Sequence, residues 1–409
     1  MSGAVVTMPR RASAVLAAVR ARATLLALAT GHMGADFSQG AVAAMLPFLR
    51  DHRGYSYAQG TALVLAMSLG TSLAQPPFGH LTDRRRVPAL APLGVMVAAA
   101  SIAMLGEIRD HALLFVVVLV GGFGVAAFHP AGARVAARAS GDRRAVGMSI
   151  FQTGGNIGFA LAPAVVALLV GGLGLRGTLL VACVPLAAAC VLAVVLARHR
   201  ALIAAAEHAA SAHGHGEDRW SAFWRLAASA TLRSGVYFGL QSFVPAYFVA
   251  RFGASSATGD AALTLILVAG VGGTLVGGQL AEVVGRRLVL IGSLCMVPPL
   301  MALALLAGEW LAFPLLALVG FFAIANMTVT VVMGQEYLPS RLGTASGVML
   351  GLTISAGGGI AALFGMLADA TSPRTVLWVL CVLPLPAIAV ALGLPDTRPR
   401  PAAPVAATA

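Results

Sequence analysis

The chain has 409 residues, of which 59% are hydrophobic and only 10% are charged, and its mean hydropathy is +0.89. Soluble globular proteins average about 45–50% apolar and about 25% charged residues. This chain has too few charged groups to cover a water-facing surface of its size. The composition therefore argues against a soluble multi-domain enzyme, a disordered chain or a disulfide-stapled secreted domain, and it indicates a protein embedded in a lipid bilayer.

The net charge of +12 does not indicate a nucleic-acid surface. All 27 basic residues are Arg, and most of them lie in short gaps between apolar runs. This spacing is typical of the loops of a multi-pass membrane protein, so we expect no nucleic-acid partner. The four cysteines lie inside apolar runs without a CxxC pair, which predicts neither a disulfide framework nor a metal site.

Twelve stretches are long and apolar enough to span a membrane, which needs about 20 predominantly apolar residues. Ten of them lack Asp, Glu and Arg, and two carry one charge each. The stretches are 23–49, 54–82, 87–106, 111–133, 145–175, 177–197, 226–250, 261–281, 288–308, 310–335, 342–368 and 375–395. The sequence therefore predicts an all-α membrane protein with twelve transmembrane helices.

The Arg residues also predict the orientation of these spans. If the N-terminus is cytoplasmic, 20 Arg fall on the cytoplasmic side and 6 on the outer side, with Arg233 inside a span. The positive-inside rule therefore places both termini in the cytoplasm. A chain with Arg and no Lys is typical of a GC-rich bacterial genome, so we expect the inner membrane of a bacterial cell.

The longest polar gap divides the chain into two sets of six spans. The predicted regions are a basic cytoplasmic flank at 1–22, a six-helix bundle at 23–198, a cytoplasmic linker at 199–222, a second six-helix bundle at 223–395 and a disordered cytoplasmic tail at 396–409. His208, His213 and His215 in the linker could bind a metal ion, but a solvated linker is the simpler interpretation.

A short motif recurs in the two halves at an offset of 199 residues. Each copy has a Gly, an acid four residues later and then Arg. The first copy contains Gly79, Asp83 and Arg84, and the second contains Gly278, Glu282, Arg286 and Arg287. The carboxylate could pair with Arg or cap the N-terminus of a neighbouring helix, and so latch one conformation. The alternative is an anchor that only fixes topology.

The two six-span halves and this loop motif resemble the major facilitator superfamily. Further strings resemble its fosmidomycin-resistance branch: HMGADFSQG at 32–40, FHP at 128–130, FQTGGNIGFALAP at 151–163, LRS at 232–234 and QEYLP at 335–339. The resemblance implies two pseudo-symmetric six-helix bundles, and we expect the protein to be a monomer. It also implies proton-driven drug efflux by alternating access.

Asp36 is the only carboxylate in the middle of a predicted span. A charge at that depth costs about 2.5–3.5 kcal/mol on insertion scales and usually faces an internal cavity. His32 and Gln39 lie four residues before and three after it, on one helix face. We expect Asp36 and His32 to take part in proton coupling and Gln39 to contact substrate. A structural contact between helices is the alternative.

Arg233 is the corresponding buried charge of the seventh span. Its guanidinium suits a carboxylate or phosphonate, so we expect it to bind an anionic substrate group. A static ion pair with Asp36 is the alternative. If a substrate anion drew Arg233 away from Asp36, proton and anion would bind together, which favours symport, whereas antiport requires that they compete.

Other polar and small residues of the spans receive predicted roles. Substrate-binding candidates are Gln152, Asn156, Gln241 and Asn326. His129 and Glu336 are predicted near cytoplasmic helix ends, with a gating or anchoring role. Gly154, Gly158 and Pro163 are predicted to shape helix packing.

No catalytic or nucleotide-binding motif is present, and without Lys the chain cannot form a Walker-type phosphate loop. The sequence therefore predicts a secondary transporter without a cofactor, and not an enzyme. Its expected partners are a small-molecule substrate, protons and the bilayer. Efflux of a drug-like or anionic molecule is the first hypothesis, proton-coupled uptake of an organic anion is the second, and a non-transporting membrane sensor is a third.

Overall fold

The computed structural model describes residues 10–85, 87–205 and 216–397, and its regular structure there is helical. The linker histidines His208, His213 and His215 lie outside the described residues, as do the start of the predicted N-terminal flank and most of the predicted tail. The predicted all-α fold is confirmed for the described part of the chain.

The described residues form two compact units. The first unit comprises the described part of Met1–Gly216 together with Ser340–Leu352, and the second comprises Glu217–Pro339 and the described part of Thr353–Ala409. Ser340–Leu352 thus belong to the first unit by contact, although the sequence predicts them within the second bundle. Their helix packs against the helix that ends in the first copy of the repeated motif. The bounds of the two predicted bundles stay a prediction.

The first unit is built from helices that pack side by side. They are α1 (Arg10–Ala44), α2 (Leu46–Arg53), α3 (Tyr57–Arg84), α4 (Leu90–Met104), α5 (His111–Ala139), α6 (Arg144–Leu173), α7 (Gly177–Val181) and α8 (Cys183–Arg198). Helix α1 packs against α4, α5, α6 and α8. It is therefore in contact with these four helices of the unit, and its polar residues His32, Asp36 and Ser38 are buried.

The second unit contains a corresponding series. Its helices are α9 (Trp220–Phe252), α10 (Ser256–Val284), α11 (Arg286–Leu306), α12 (Glu309–Ala325), α13 (Met327–Tyr337), α15 (Thr353–Ala370), α16 (Pro373–Val382) and α17 (Pro384–Leu392). Helix α14 (Leu342–Gly347) precedes α15 in the chain, and the π turn Val348–Leu352 joins them. Within this unit α9 packs against α10, α15, α16 and α17.

Glycines of α6 allow it to lie directly against α1. A Cβ at Gly154 would lie 2.8 Å from the Cα of Ala29, and one at Gly158 would lie 2.8 Å from the backbone nitrogen of Phe37. Both distances are shorter than a carbon atom tolerates, so a larger residue at either position would separate the helices. Pro163 lies farther along α6 without ending it, since the helix continues to Leu173.

Seven helical stretches within the described residues are long and apolar enough to cross a membrane. They are His111–Ala139, Arg144–Arg198, Thr258–Val284, Arg286–Leu306, Glu309–Tyr337, Leu342–Ala370 and Pro373–Leu392. Large apolar side chains on the outside, such as Leu168 (75% exposed) and Val283 (80% exposed), suit contact with lipid. The protein is therefore a multi-pass membrane protein, and the count of twelve spans stays a prediction.

Candidate transport site

Asp36 lies in α1 and is 4% exposed. Its carboxylate is 3.3 Å from His32 Nε2 and accepts a 3.1 Å hydrogen bond from Gln39 Nε2. These are the two neighbours that helical spacing predicts on the same face of α1. The structure therefore places Asp36, His32 and Gln39 in one polar group.

A third side chain, His129 of α5, joins this group. Its Nε2 lies 3.1 Å from Asp36 Oδ1 and 3.1 Å from His32 Nε2. The predicted position of His129 near a helix end is wrong, because α5 continues ten residues further, to Ala139. The three buried side chains of His32, Asp36 and His129 are called the His–Asp cluster below.

Both imidazole rings are held in place by backbone carbonyl groups. His32 Nδ1 lies 2.8 Å from the carbonyl oxygen of Phe151, and its ring stacks on the Phe151 ring at 4.3 Å between centroids. His129 Nδ1 lies 3.0 Å from the carbonyl oxygen of Val125. Because a carbonyl oxygen only accepts, each Nδ1 must donate. Each Nε2 is therefore directed at Asp36 and at the other ring.

Gly155 of α6 faces the cluster. A Cβ at this position would lie 2.7 Å from His32 Nε2 and would also collide with Asp36 Oδ2. Sequence reasoning assigned packing roles to Gly154 and Gly158 and missed Gly155. Its signal was weak, because a glycine one residue away from a packing glycine has no distinctive spacing.

The two amides predicted on α6 differ in their burial. Gln152 is buried and Asn156 is partly buried, one helical turn apart. Both lie on the helix that packs against α1 and carries Gly155. Their role in binding substrate stays a prediction.

In the second unit, Arg233 lies inside α9 and is 3% exposed. Among the described residues, neither Arg233 Nε nor the hydroxyl group of the adjacent Ser234 has a hydrogen-bond partner. Gly357 of α15 packs against Ser234, and a Cβ there would lie 2.7 Å from the Ser234 carbonyl carbon. Arg233 and Asp36 belong to different units, so the static ion pair between them stays a prediction.

The other two candidates of the second unit are Asn326 and Gln241. Asn326 lies at the break between α12 and α13, is fully buried, and donates a 2.8 Å hydrogen bond from Nδ2 to Ser293 Oγ. Its Oδ1 has no hydrogen-bond partner among the described residues. Gln241 of α9 is partly buried. Their predicted contacts with substrate remain predictions.

The first copy of the repeated motif caps a helix. Asp83 accepts hydrogen bonds from the backbone nitrogens of Gly343 (2.7 Å) and Thr344 (2.8 Å) and from the Thr344 hydroxyl (2.7 Å). These nitrogens begin α14, so Asp83 supplies from another helix the acceptor that an N-cap residue normally provides. A Cβ at Gly79 would strike the Gly343 backbone, which explains a glycine there.

The basic partner of Asp83 is a residue that sequence reasoning missed. Arg134 of α5 lies 3.5 Å from Asp83 Oδ1 and also donates to the carbonyl oxygen of Thr82. Arg84, which the motif suggested, is exposed. Arg134 is distant in sequence and resembles any other loop-facing Arg, so the pattern gave no reason to choose it.

The second copy forms a chain of ion pairs within its own unit. Arg286 is 1% exposed and lies 3.5 Å from Glu282 and 3.3 Å from Glu336. It also donates to the carbonyl oxygen of Thr397, and Arg287 donates to that of Leu392. Gly278 is buried. Glu336 therefore meets a residue of the motif, which suits the predicted anchoring role.

Comparison with known proteins identifies the family. Residues 28–362 match the Major Facilitator Superfamily. The chain is 30% identical over 373 residues to YfnC, an uncharacterized MFS-type transporter of Bacillus subtilis, covering 88% of this chain and 90% of the relative. It is 29% identical over 384 residues to the fosmidomycin resistance protein of Escherichia coli, covering 91% and 92%. The chain belongs to the major facilitator superfamily.

Solved structures agree with this assignment. The Escherichia coli fucose:proton symporter superposes with a TM-score of 0.71 at 15% identity, over 92% of this chain and 99% of that one. The human organic anion transporter superposes with a TM-score of 0.72 at 18% identity, over 91% and 99%. The predicted resemblance to the fosmidomycin-resistance branch is confirmed by sequence and the superfamily fold by structure. The protein is accordingly a transporter and not an enzyme.

Proposed function

We propose that the protein is a secondary transporter that exports a small drug-like or anionic molecule, of the fosmidomycin type, in a proton-linked cycle of alternating access. The observation that carries this proposal is the His–Asp cluster. A buried carboxylate with two imidazole nitrogens at 3.1–3.3 Å is a suitable place to hold and release a proton inside an apolar protein. The curated relative named for fosmidomycin resistance supports the choice of substrate.

The second unit supplies the anion-binding group in this proposal. Arg233 is buried, and its Nε has no hydrogen-bond partner among the described residues, although burial without a partner is costly for such a group. A carboxylate or phosphonate of the substrate would satisfy it with charge-assisted hydrogen bonds. Gln39, Gln152, Asn156, Gln241 and Asn326 would add neutral hydrogen bonds to the polar parts of the molecule.

The contacts of Asp36 guide our choice of a coupling scheme for proton and substrate. The Asp36 carboxylate already has three neighbours in its own unit, namely His32, His129 and Gln39. In this proposal the carboxylate keeps its contacts within its own unit, and Arg233 is left for the substrate. We therefore favour antiport, or export driven by the membrane potential, over a scheme in which proton and anion bind together.

The proposal also covers the orientation of the protein in the membrane and the contacts that change during transport. We place both termini in the cytoplasm, because the Arg residues accumulate on that side of the spans. We also propose that the protein works as a monomer in the inner membrane of a bacterium. Asp83 with α14, and Glu282 with Arg286, would stabilise one conformation of the cycle and separate in another.

The accumulation of labelled fosmidomycin in efflux-deficient bacteria tests this function. We expect cells with the wild-type protein to accumulate less than vector cells, and cells with Asp36→Asn to accumulate as much as vector cells. The matched control is Asp51→Asn, which changes an exposed acid of α2 and should behave as wild type. Membrane expression is equalised across the variants.

Three other results would contradict the proposal in different ways. Equal accumulation in all strains would exclude fosmidomycin as a substrate. Higher accumulation with wild type than with vector would indicate proton-coupled uptake instead of efflux. Failure of purified protein in proteoliposomes to move any of a panel of organic anions would favour a non-transporting sensor.

A further inference from the structure

Hydrogen bonds to the backbone determine which atoms of the His–Asp cluster face one another. The Nδ1 atoms of His32 and His129 donate to the carbonyl oxygens of Phe151 and Val125. In a neutral imidazole only one nitrogen carries a hydrogen, so both Nε2 atoms then present lone pairs. These lone pairs point toward each other and toward the carboxylate of Asp36.

Three electron-pair donors at these distances repel one another unless a cation lies among them. A proton of the transport cycle or a metal ion can fill this place, and the two compete for the cluster. His32 Nε2 and His129 Nε2 are 3.1 Å apart, and they lie 3.3 Å and 3.1 Å from the two Asp36 oxygens. Ligands at about 2.0–2.1 Å from a tetrahedral zinc ion are about 3.3–3.4 Å from each other. The two nitrogens are therefore close to the spacing of two corners of a zinc site, and each has a carboxylate oxygen of Asp36 at a similar distance.

We propose that the His–Asp cluster binds one divalent transition-metal ion of the zinc class. The ligands are His32 Nε2, His129 Nε2 and the Asp36 carboxylate, and the fourth position remains open to water or another small ligand. Two imidazoles and a carboxylate form a donor set that zinc favours over the harder magnesium and calcium ions. No metal site was predicted at this place from the sequence, because the third ligand, His129, lies on α5 and is 93 residues from Asp36.

The surroundings of the cluster match those of established metal ligands. Histidines that bind metals usually donate their second ring nitrogen to a carbonyl or carboxylate, which fixes the ring and its tautomer. Both rings do so here, and Gln39 Nε2 donates to the third ligand, Asp36. All three ligands are buried, so they are already oriented before an ion arrives.

Gly155 keeps open the space beside the ligand atoms. A Cβ at this position would lie 2.7 Å from His32 Nε2 and would collide with an Asp36 oxygen. Gly155→Ala therefore offers a way to block the site without removing any ligand. This inference does not rest on the direction or substrate of transport, since binding of the ion is measured on the purified protein alone.

The experiment titrates the purified, tag-free protein with Zn²⁺ by calorimetry and with Co²⁺ by visible spectroscopy. The full chain carries His208→Ala, His213→Ala and His215→Ala, so that the linker histidines cannot contribute. We expect one bound Zn²⁺ per chain and the intense visible absorption of four-coordinate cobalt. In the same background, Asp36→Asn, His129→Gln and Gly155→Ala should each weaken Zn²⁺ binding at least about tenfold.

His52→Gln is the matched control, because it removes an exposed histidine of α2 and should leave Zn²⁺ binding unchanged. Variants are compared only when they elute as a single monodisperse species. Equal affinity in His52→Gln and the three cluster variants would overturn the proposal. If every cluster variant misfolds, the protein with the intact cluster still tests the proposal. A weak octahedral cobalt spectrum, or the absence of bound Zn²⁺, would overturn it.

Discussion

Helix α1 of the first unit and helix α9 of the second unit each carry one buried charge, but the two charges have different surroundings. Asp36 has two imidazoles and an amide within 3.3 Å. Arg233 Nε has no hydrogen-bond partner in the described part of the chain. A buried charge with hydrogen-bond partners is part of the structure of its unit, whereas an unsatisfied nitrogen such as Arg233 Nε is held at a cost and is available to a ligand.

The largest expected effect on stability comes from removing Asp36, the buried charge that has hydrogen-bonding neighbours. Asp36→Ala removes a buried carboxylate that accepts a hydrogen bond from Gln39 and contacts two imidazole rings, so we expect the free energy of unfolding to fall by about 3–5 kcal/mol. Chemical unfolding in mixed micelles measures this change. Asp51→Ala, at an exposed position, should stay within about 0.5 kcal/mol of wild type. Equal stability of both variants would show that the cluster does not hold the first unit together.

A smaller loss of stability is expected when a methyl group is added beside the His–Asp cluster and His32, Asp36 and His129 are all retained. Gly155→Ala forces His32 and Asp36 apart, which should lower the free energy of unfolding by about 1–3 kcal/mol. Gly172→Ala on the same helix is the control, because a Cβ there meets nothing within 4 Å. It should be neutral or slightly stabilising. Similar changes in the free energy of unfolding for Gly155→Ala and Gly172→Ala would contradict the close packing of α6 against the cluster.

The sequence predicts the local part of the site better than the part formed by packing. Asp36, His32 and Gln39 lie within eight residues on one helix, so helical periodicity alone places them together. His129 is 93 residues away from Asp36, and its contact depends on how α5 packs against α1. Gly155 matters only once both helices are in place. No spacing rule within one sequence could have found either residue.

The repeated motif shows the same limit. Its recurrence predicts an acid that pairs with Arg or caps a helix, and Asp83 does both. The identity of its partners, Arg134 and the start of α14, depends on contacts that join residues 51 and 260 positions apart. The two copies also differ, because Glu282 meets Arg286 one helical turn away. The sequence alone treats them as equivalent.

A loss of about 0.5–2 kcal/mol is expected from Asp83→Ala, which removes the acceptor for two backbone nitrogens at the start of α14. Chemical unfolding gives its size, and hydrogen exchange at Gly343 and Thr344 should become faster. Asp142→Ala, at an exposed loop position, is the comparison and should change neither quantity. Unchanged exchange in Asp83→Ala would contradict the capping role.

The smallest effect on stability, and one of opposite sign to the others, is expected at Arg233. Arg233→Met replaces a buried charge by an apolar side chain of similar length, so the free energy of unfolding should stay the same or rise. Substrate binding should nevertheless weaken. A large loss of stability in Arg233→Met would show that this charge has a structural partner, and it would remove the contrast between the two helices.

The most direct test of the contrast between Asp36 and Arg233 is the affinity for fosmidomycin. It is measured by calorimetry on the detergent-purified wild type, Arg233→Met and Asp36→Asn. Hydrogen bonds to a charged group are worth about 1.5–3 kcal/mol, so Arg233→Met should raise the Kd about tenfold or more. Asp36→Asn should leave the Kd for fosmidomycin within about threefold of wild type, because in this account the cluster binds the proton and Arg233 binds the anionic group of the substrate. Wild-type affinity in Arg233→Met together with lost affinity in Asp36→Asn would contradict the account.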